Sequence, residues 1–300
     1  MPTDEELLDL ATQAAVRAGR LLVEQRPVDL GVAATKTSPT DVVTEMDRRS
    51  EELITAHLLG ARPGDRVLGE ETGEQGRPAG PGRRVRWIVD PIDGTVNYLY
   101  GLAHWAVSVA AEVDGEVVAG VVHAPALGHT WTASAGGPAR CDGQPVHVSG
   151  CSSVAQALVA TGFGYQAGQR AVQGELVARL LPAIRDIRRD GAASLDLCAV
   201  ASGWVDAYYE SGLAPWDMAA GALIARRAGA RVGGLAGAPP GPAMVIAAPP
   251  GLFGQLETLV ATGLAGARAV TTDPSGHKPG PSSVAPPQPG TTTGGHDDGN

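Results

Sequence analysis

The chain has 300 residues, 43% apolar but only 4% aromatic, with 41 Gly, 23 Pro and a formal charge of −9. That length suits one large domain or two smaller ones, and Val, Leu, Ile and Ala must fill its core. The negative charge disfavours nucleic acid and anionic membrane as direct partners, since both present phosphate; a phosphate ester could bind only where something cancels the like charge.

Thr3-x-x-Glu6 reads as a capping box, followed by Leu7, Leu10, Ala14, Ala18 and Leu21 at helical spacing. This N-terminus is polar and acidic, and no run reaches about 18 apolar residues, so neither an export signal nor a membrane span is expected. Three cysteines, Cys141, Cys151 and Cys198, with no C-x-x-C spacing, fit a reducing, cytoplasmic setting better than a disulfide framework or a zinc knuckle. Thr44-x-x-Asp47 opens a second predicted helix ending near Leu59, with Gly60 as its stop. Residues 85–89 read as a strand ending at Asp90. From 105 to 149 the pattern is β: Val107, Val109, Ala111 and Val113 alternate, and Asp114-Gly115 and Asp142-Gly143 are hairpin-turn signals. Further on, 176–187 is amphipathic, 192–201 a helix, 205–209 a strand, 218–228 a helix, 244–248 a strand and 252–260 the last helix. Strands and helices mix without strict alternation, which favours α+β layers over a doubly wound sheet. Residues 273–300 hold six Pro and six Gly with only Val284 and Ala285 as aliphatic side chains. This composition predicts a disordered tail after one folded domain spanning 1–272.

Three acidic clusters carry the chemical signal: Glu70-Glu71, Asp90-Pro91-Ile92-Asp93-Gly94-Thr95, and Trp216-Asp217. In the second, a strand delivers Asp90, Pro91 ends the ladder, and Gly94 permits a tight turn. Asp90 and Asp93 can then point the same way with the Ile92 carbonyl between them, an oxygen set that suits a hard cation such as Mg²⁺. Read alone, Glu70-Glu71 is a solvated acidic pair and Asp217 a helix N-cap; their weight comes from occurring together in this order. The histidines show no H-x-x-x-H spacing, so neither a His-based zinc site nor a Ser–His–Asp triad is expected.

The chain resembles the inositol monophosphatase family of metal-dependent, lithium-sensitive sugar phosphatases over roughly residues 7–264. Five blocks carry the resemblance: Lys36-x-Ser38-Pro39-x-Asp41-x-Val43-Thr44-x-x-Asp47; Gly69-Glu70-Glu71; Trp87-Ile88-Val89-Asp90-Pro91-Ile92-Asp93-Gly94-Thr95-x-Asn97-Tyr98; Asp206-Ala207-Tyr208-Tyr209-Glu210; and Pro215-Trp216-Asp217-x-Ala219-Ala220-Gly221. The resemblance implies an α-β-α-β-α sandwich, usually a homodimer, with two or three Mg²⁺ per site and a small phosphorylated polyol as substrate. It places one ion on Glu70, Asp90 and the Ile92 carbonyl, a second on Asp90, Asp93 and Asp217, and a weaker third on Glu70 and waters. Thr95 and Asp47 would orient the attacking water, and the Gly94 and Thr95 N–H groups would hold phosphate oxygens. Asp93, Ala193 and Glu210 would meet polyol hydroxyls, with Asp217 also facing the substrate. Myo-inositol 1-phosphate is the leading substrate. Histidinol phosphate, fructose bisphosphate and adenosine 3′,5′-bisphosphate are alternatives, and a regulatory protein-binding role is the alternative of another class. Ala192 departs from the Ser or Thr frequent after the glycine of its block, and residues 162–169 offer no clear correspondence. The two-residue gap between Asp90 and Asp93 separates this motif from the Asp-x-Asp-Gly-Thr of aspartate-nucleophile phosphatases.

Overall fold

The computed structural model describes residues 2–28, 30–36, 42–76 and 85–272. Ser38, Pro39 and Asp41 of the first block, and the 273–300 tail, lie outside the described residues. In chain order, α1 (Asp4–Glu24) leads through a small ribbon, β1 (Ala34–Thr35) and β2 (Val42–Val43), to α2 (Glu45–Ala61). β3 (Arg66–Gly69), β4 (Gly73–Gln75) and β5 (Val85–Asp93) precede the short α3 (Thr95–Tyr100). An antiparallel run follows: β6 (Ala106–Val113), β7 (Glu116–Ala124), β8 (His129–Ser134), β9 (Arg140–Cys141) and β10 (Gln144–Pro145). The C-terminal half comprises β11 (Leu158–Thr161), α4 (Ala167–Leu180), β12 (Asp186–Arg188), α5 (Ala193–Ala201), β13 (Ala207–Glu210), α6 (Pro215–Arg227), β14 (Arg231–Gly233), β15 (Val245–Ala248) and α7 (Pro250–Thr272).

Both predicted capping boxes close. Thr3 Oγ1 accepts from the Glu6 N–H at 3.2 Å while Glu6 returns to the Thr3 N–H at 2.8 Å. Asp47 accepts from the Thr44 N–H at 2.7 Å and from its hydroxyl at 2.6 Å. The Asp-Gly signals also hold. Asp114 (φ 52°) with Gly115 (φ 88°), and Asp142 (φ 50°) with Gly143 (φ 78°), place both turn residues in the left-handed region, as a type I′ hairpin requires.

Eight strands form one sheet in the order β10-β9-β8-β7-β6-β5-β3-β4, and five form another in the order β12-β11-β13-β15-β14. Side-chain alternation then sorts three cores into five layers. Trp87, Val89, Val107, Val109 and Ala111 face α1 and α2. Ile88, Ala106 and Ala110, on the opposite face of the same strands, join Leu197, Leu223 and Ile224 of α5 and α6. The five-stranded sheet has Tyr208, Val245 and Ala247 on that middle layer, and Val159, Tyr209 and Ile246 packed on α4 and α7. The order is α1/α2, large sheet, α5/α6, small sheet, α4/α7, an α+β sandwich with helices on both outer faces. The middle layer is thin because its contacts are small: a Cβ at Gly120 of β7 would lie 3.0 Å from Ala220 Cα of α6.

Several boundaries differ from the sequence expectation. Residues 176–187 are not one helix. α4 starts earlier, at Ala167; Pro182 sits in a 3-10 turn, Leu181–Ala183, and 186–188 is an edge strand. α2 passes through Gly60 to Ala61, where the glycine meets open space. α6 begins at Pro215, a residue suited to a first helical position because its missing N–H would be unpaired there anyway. β5 runs beyond Asp90 to Asp93, with an irregular register against β6 between those two residues. α7 runs past 260 to Thr272. Strands β11 and β14 are short, and no sequence period announced them.

Candidate active site

β3 and β5 are parallel neighbours, Gly69 beside Val89, so their C-terminal ends emerge together. The Glu70 N–H donates to the Val89 carbonyl at 3.2 Å, setting Glu70 next to Asp90. Asp90 accepts from the Ile92 N–H at 3.0 Å, which turns the chain so that Asp93 follows it into the same space. Gly94 then adopts φ 88° to enter α3, and a Cβ there would lie 2.8 Å from the His104 carbonyl. Both facts require glycine. Asp217 arrives from α6 as its third residue rather than as the N-cap; its carboxylate accepts from the Ala214 N–H at 2.6 Å. Glu210 comes from the end of β13 and Ala193 from the start of α5. Lys36, Glu70, Asp90, Ile92, Asp93, Gly94, Thr95, Ala193, Glu210 and Asp217 line a single cavity of about 380 Å³. Asp47 stands behind this wall, accepting from the Thr95 hydroxyl at 3.0 Å; that hydroxyl also lies 2.9 Å from the Ile92 carbonyl.

Like charge and burial together set the electrostatics of the cluster. Burial pushes Asp90 well above the usual carboxylate range, and Glu70, Asp93 and Asp217 add like charge. Burial does the same to Asp217, with Glu70 and Asp93 contributing, and raises Glu70. Asp93 rises to about 6 through burial, restrained by the Ser194 and Ala193 N–H groups; Asp47 also rises to about 6 through burial. Lys36 counters part of this charge, lying 2.7 Å from both Glu70 and Glu71. Burial works against its ammonium, but the two glutamates hold it protonated. Every group here able to ligate a cation is oxygen, with no imidazole or thiolate among the described residues that line the cavity. Buried, mutually repelling carboxylates beside a backbone carbonyl are a donor set suited to Mg²⁺, Mn²⁺ or Ca²⁺.

Ala192, the departure from the family pattern, is the N-cap of α5 and supplies no side-chain cap. Asp93 replaces the missing hydroxyl from another strand, accepting from Ala193 N–H at 3.2 Å and Ser194 N–H at 2.7 Å. The Ala193 N–H is thus engaged by Asp93.

The structure adds residues that the motifs did not announce. Glu51 of α2, 1% exposed, accepts from the Glu71 N–H at 2.8 Å and the Thr72 N–H at 3.0 Å, and so fixes the loop that carries Glu70. No local pattern distinguishes it from other helical glutamates. Residues 162–169, without a correspondence in the motifs, form the outer wall: Phe163, Tyr165 and Gln169 line the cavity with Arg189. The Arg189 guanidinium lies 5.5 Å from the Phe163 ring centre. Gly162 leaves the space that Glu210 fills, and the Tyr208 hydroxyl donates to Glu210 at 2.7 Å. Burial pushes Glu210 up to about 7; the Tyr208 hydroxyl and Arg189 pull it down, and Asp93 adds to the rise.

Comparison with known proteins agrees with this geometry. The model of the "Inositol monophosphatase family" matches residues 3–268. An inositol-1-monophosphatase SuhB from Mycobacterium tuberculosis (strain ATCC 25618 / H37Rv) is 47% identical over 237 residues, covering 75% of this chain and 80% of the relative. The Nus factor SuhB of Escherichia coli K12 is 35% identical over 232 residues, covering 77% and 86%. The solved structure of Mycobacterium tuberculosis SuhB superposes with a TM-score of 0.74 at 38% identity, covering 88% of this chain and 98% of that one. With the family model spanning nearly all the described residues and Glu70, Asp90, Asp93, Glu210 and Asp217 gathered in one cavity, the chain belongs to the inositol monophosphatase family and is a phosphoric monoester hydrolase.

Proposed function

We propose that the chain hydrolyses myo-inositol 1-phosphate to inositol and phosphate, with two or three Mg²⁺ ions as cofactor. The observation that carries this reading is the convergence of Glu70, Asp90, Asp93 and Asp217, from three separate elements, on one cavity that also exposes Glu210. One ion would rest on Glu70, Asp90 and the Ile92 carbonyl, a second on Asp90, Asp93 and Asp217, and a weaker third on Glu70. Such ions supply a water acidified toward neutrality and charge neutralisation on the ester oxygens. The remaining work falls to the chain. Asp47 accepts from the Thr95 hydroxyl, which leaves a Thr95 lone pair facing the cavity to orient a water for in-line attack. The Gly94 and Thr95 N–H groups hold phosphate oxygens. Phe163 and Tyr165 form one side of the cavity. Glu210, oriented by Tyr208, accepts from polyol hydroxyls and so sets preference rather than rate.

The test is purified protein assayed with and without Mg²⁺ against inositol 1-phosphate, histidinol phosphate, fructose 1,6-bisphosphate, adenosine 3′,5′-bisphosphate and p-nitrophenyl phosphate. The highest kcat/KM is expected for inositol 1-phosphate, and turnover should vanish in EDTA. A preference for histidinol phosphate would overturn the substrate, and metal-independent turnover would overturn the cofactor. We further propose a homodimer, measurable by light scattering. A second reading, a regulatory role through a protein partner, draws on the E. coli relative's name, Nus factor SuhB. Stoichiometric capture of one protein partner by a catalytically dead Asp90→Asn form would support it.

A further inference from the structure

A second cluster of ligand-type side chains lies away from the catalytic cavity, at the far side of the large sheet. His129 opens β8, Cys141 ends β9, and Asp142 is the first residue of the type I′ turn into β10. Cys141 pairs across the ladder with Trp131, so His129, two residues earlier on β8, projects from the same face. Asp142 folds back over them, its φ of 50° turning the carboxylate toward β8. One oxygen is fixed by the Thr130 N–H at 2.8 Å, which leaves the other 2.7 Å from His129 Nδ1 and 3.6 Å from Cys141 Sγ. Cys141 Sγ is 3.9 Å from the same Nδ1. The imidazole packs against a pair of indoles, its ring centre 5.5 Å from that of Trp131 and 5.3 Å from that of Trp204, which lie 5.4 Å from each other.

We propose that His129 Nδ1, Cys141 Sγ and an Asp142 oxygen form a binding site for a borderline divalent cation of the zinc class, separate from the catalytic cations. Tetrahedral coordination at zinc's usual bond lengths puts nitrogen, sulfur and oxygen ligands roughly 3.4 to 3.6 Å apart. The sulfur–oxygen edge, 3.6 Å, already has that length, and the nitrogen–sulfur edge, 3.9 Å, is slightly long. Only the 2.7 Å nitrogen–oxygen edge must open, by exchanging a hydrogen bond for two metal bonds. A His–Asp hydrogen bond by itself would explain two members of the cluster. The half-buried Cys141 thiol on the same face is the third, donating to the Asp142 carboxylate at 3.6 Å and lying 3.9 Å from the imidazole, so that all three ligand-type atoms converge on one point. The mixed nitrogen, sulfur and oxygen set selects zinc-class cations over Mg²⁺, so the two sites divide cations by chemistry. Asp142 is exposed, which leaves the fourth position to water. The site lies three strands from β5, on the order of 14 Å at ordinary strand spacing. A cation there would clasp β8 to the β9–β10 hairpin and brace Trp204, which is half exposed.

Cobalt(II) titration of the reduced, full-length protein in excess Mg²⁺ tests this. The catalytic cavity contains no sulfur, so a thiolate-to-cobalt charge-transfer band reports on a cysteine site alone. The expected result is a band saturating at one cobalt per chain, displaced by one equivalent of Zn²⁺ and absent in Cys141→Ser. At least tenfold weaker cobalt binding is expected in His129→Ala. Phosphate-ester turnover should be retained in Cys141→Ser, since the cluster lies outside the catalytic cavity, and circular dichroism verifies the fold of each variant. Absence of the band at millimolar cobalt overturns the proposal. A band that persists in Cys141→Ser, or one unaffected by His129→Ala, also does so.

Discussion

Gly162→Ala isolates the role of Glu210 without touching a cation ligand. A Cβ at 162 would overlap all three carboxylate atoms of Glu210. To regain ordinary contact at roughly 3.5 Å, the carboxylate must retreat by more than about 1 Å. Glu210 is held at 2.7 Å by the Tyr208 hydroxyl, so that bond breaks or the pair moves together. In either case the acceptor leaves the position from which it meets a polyol hydroxyl. A hydrogen bond to a charged acceptor contributes about 1.5–3 kcal/mol, which corresponds to a loss of roughly 10- to 150-fold in kcat/KM for inositol 1-phosphate. Gly162 does not occupy the left-handed region, so alanine carries no backbone penalty of that kind. The assay compares kcat/KM for inositol 1-phosphate with that for p-nitrophenyl phosphate, which has no polyol to recognise. The expected result is a selective loss on the first substrate, reproduced by Glu210→Gln. Equal losses on both substrates, or none on inositol phosphate, would refute the assignment of Glu210 to substrate preference.

Asp90→Asn should abolish turnover and weaken Mg²⁺ binding, yet raise the melting temperature in EDTA, because it removes one charge from a buried, self-repelling cluster. Calorimetry with and without metal checks both; normal turnover at saturating Mg²⁺ would remove Asp90 from the metal site. The metal-free protein should lose stability as pH rises from about 4 through 6. Asp47 and Asp93 have folded values of about 6, above their unfolded ones, so the native state keeps protons that the unfolded chain has released, and stability falls by up to about 1.4 kcal/mol per pH unit per group. Added Mg²⁺ should flatten that slope; urea melts across this range measure it. Glu51→Ala should lower stability by about 1–3 kcal/mol per amide left unpaired, since the Glu71 and Thr72 N–H groups lose their acceptor. It should also raise the Mg²⁺ concentration needed for half-maximal activity, because the Glu70 loop loosens, and unchanged metal dependence would show that the loop is fixed by other contacts.

Local chemistry was legible in the residues themselves. Thr3-x-x-Glu6 and Thr44-x-x-Asp47 marked two helix starts, and Asp114-Gly115 and Asp142-Gly143 marked two hairpin turns, because caps and type I′ turns are satisfied within a few residues of chain. The central carboxylate motif was legible for the same reason: Asp90 to Thr95 is one continuous stretch of chain, from the end of β5 into α3. Other features were hidden in proportion to the distance their partners travel. β11 and β14 owe their existence to neighbours 48 and 17 residues away, Val159 to Ala207 and Arg231 to Ala248, so no period in their own few residues announces them. Glu51 reads as an ordinary helical glutamate until the 70–72 loop is seen resting on it. Asp93 as the cap of α5 requires residues a hundred positions apart to meet. Likewise His129 and Cys141 show no metal-ligand spacing along the chain and become neighbours only through the pairing of β8 with β9. The amino-acid sequence by itself determined which groups carry charge, where the chain turns and which family it resembles. Tertiary structure decided which of those groups share a buried space, because burial and mutual repulsion depend on separation in three dimensions and have no signature in separation along the chain.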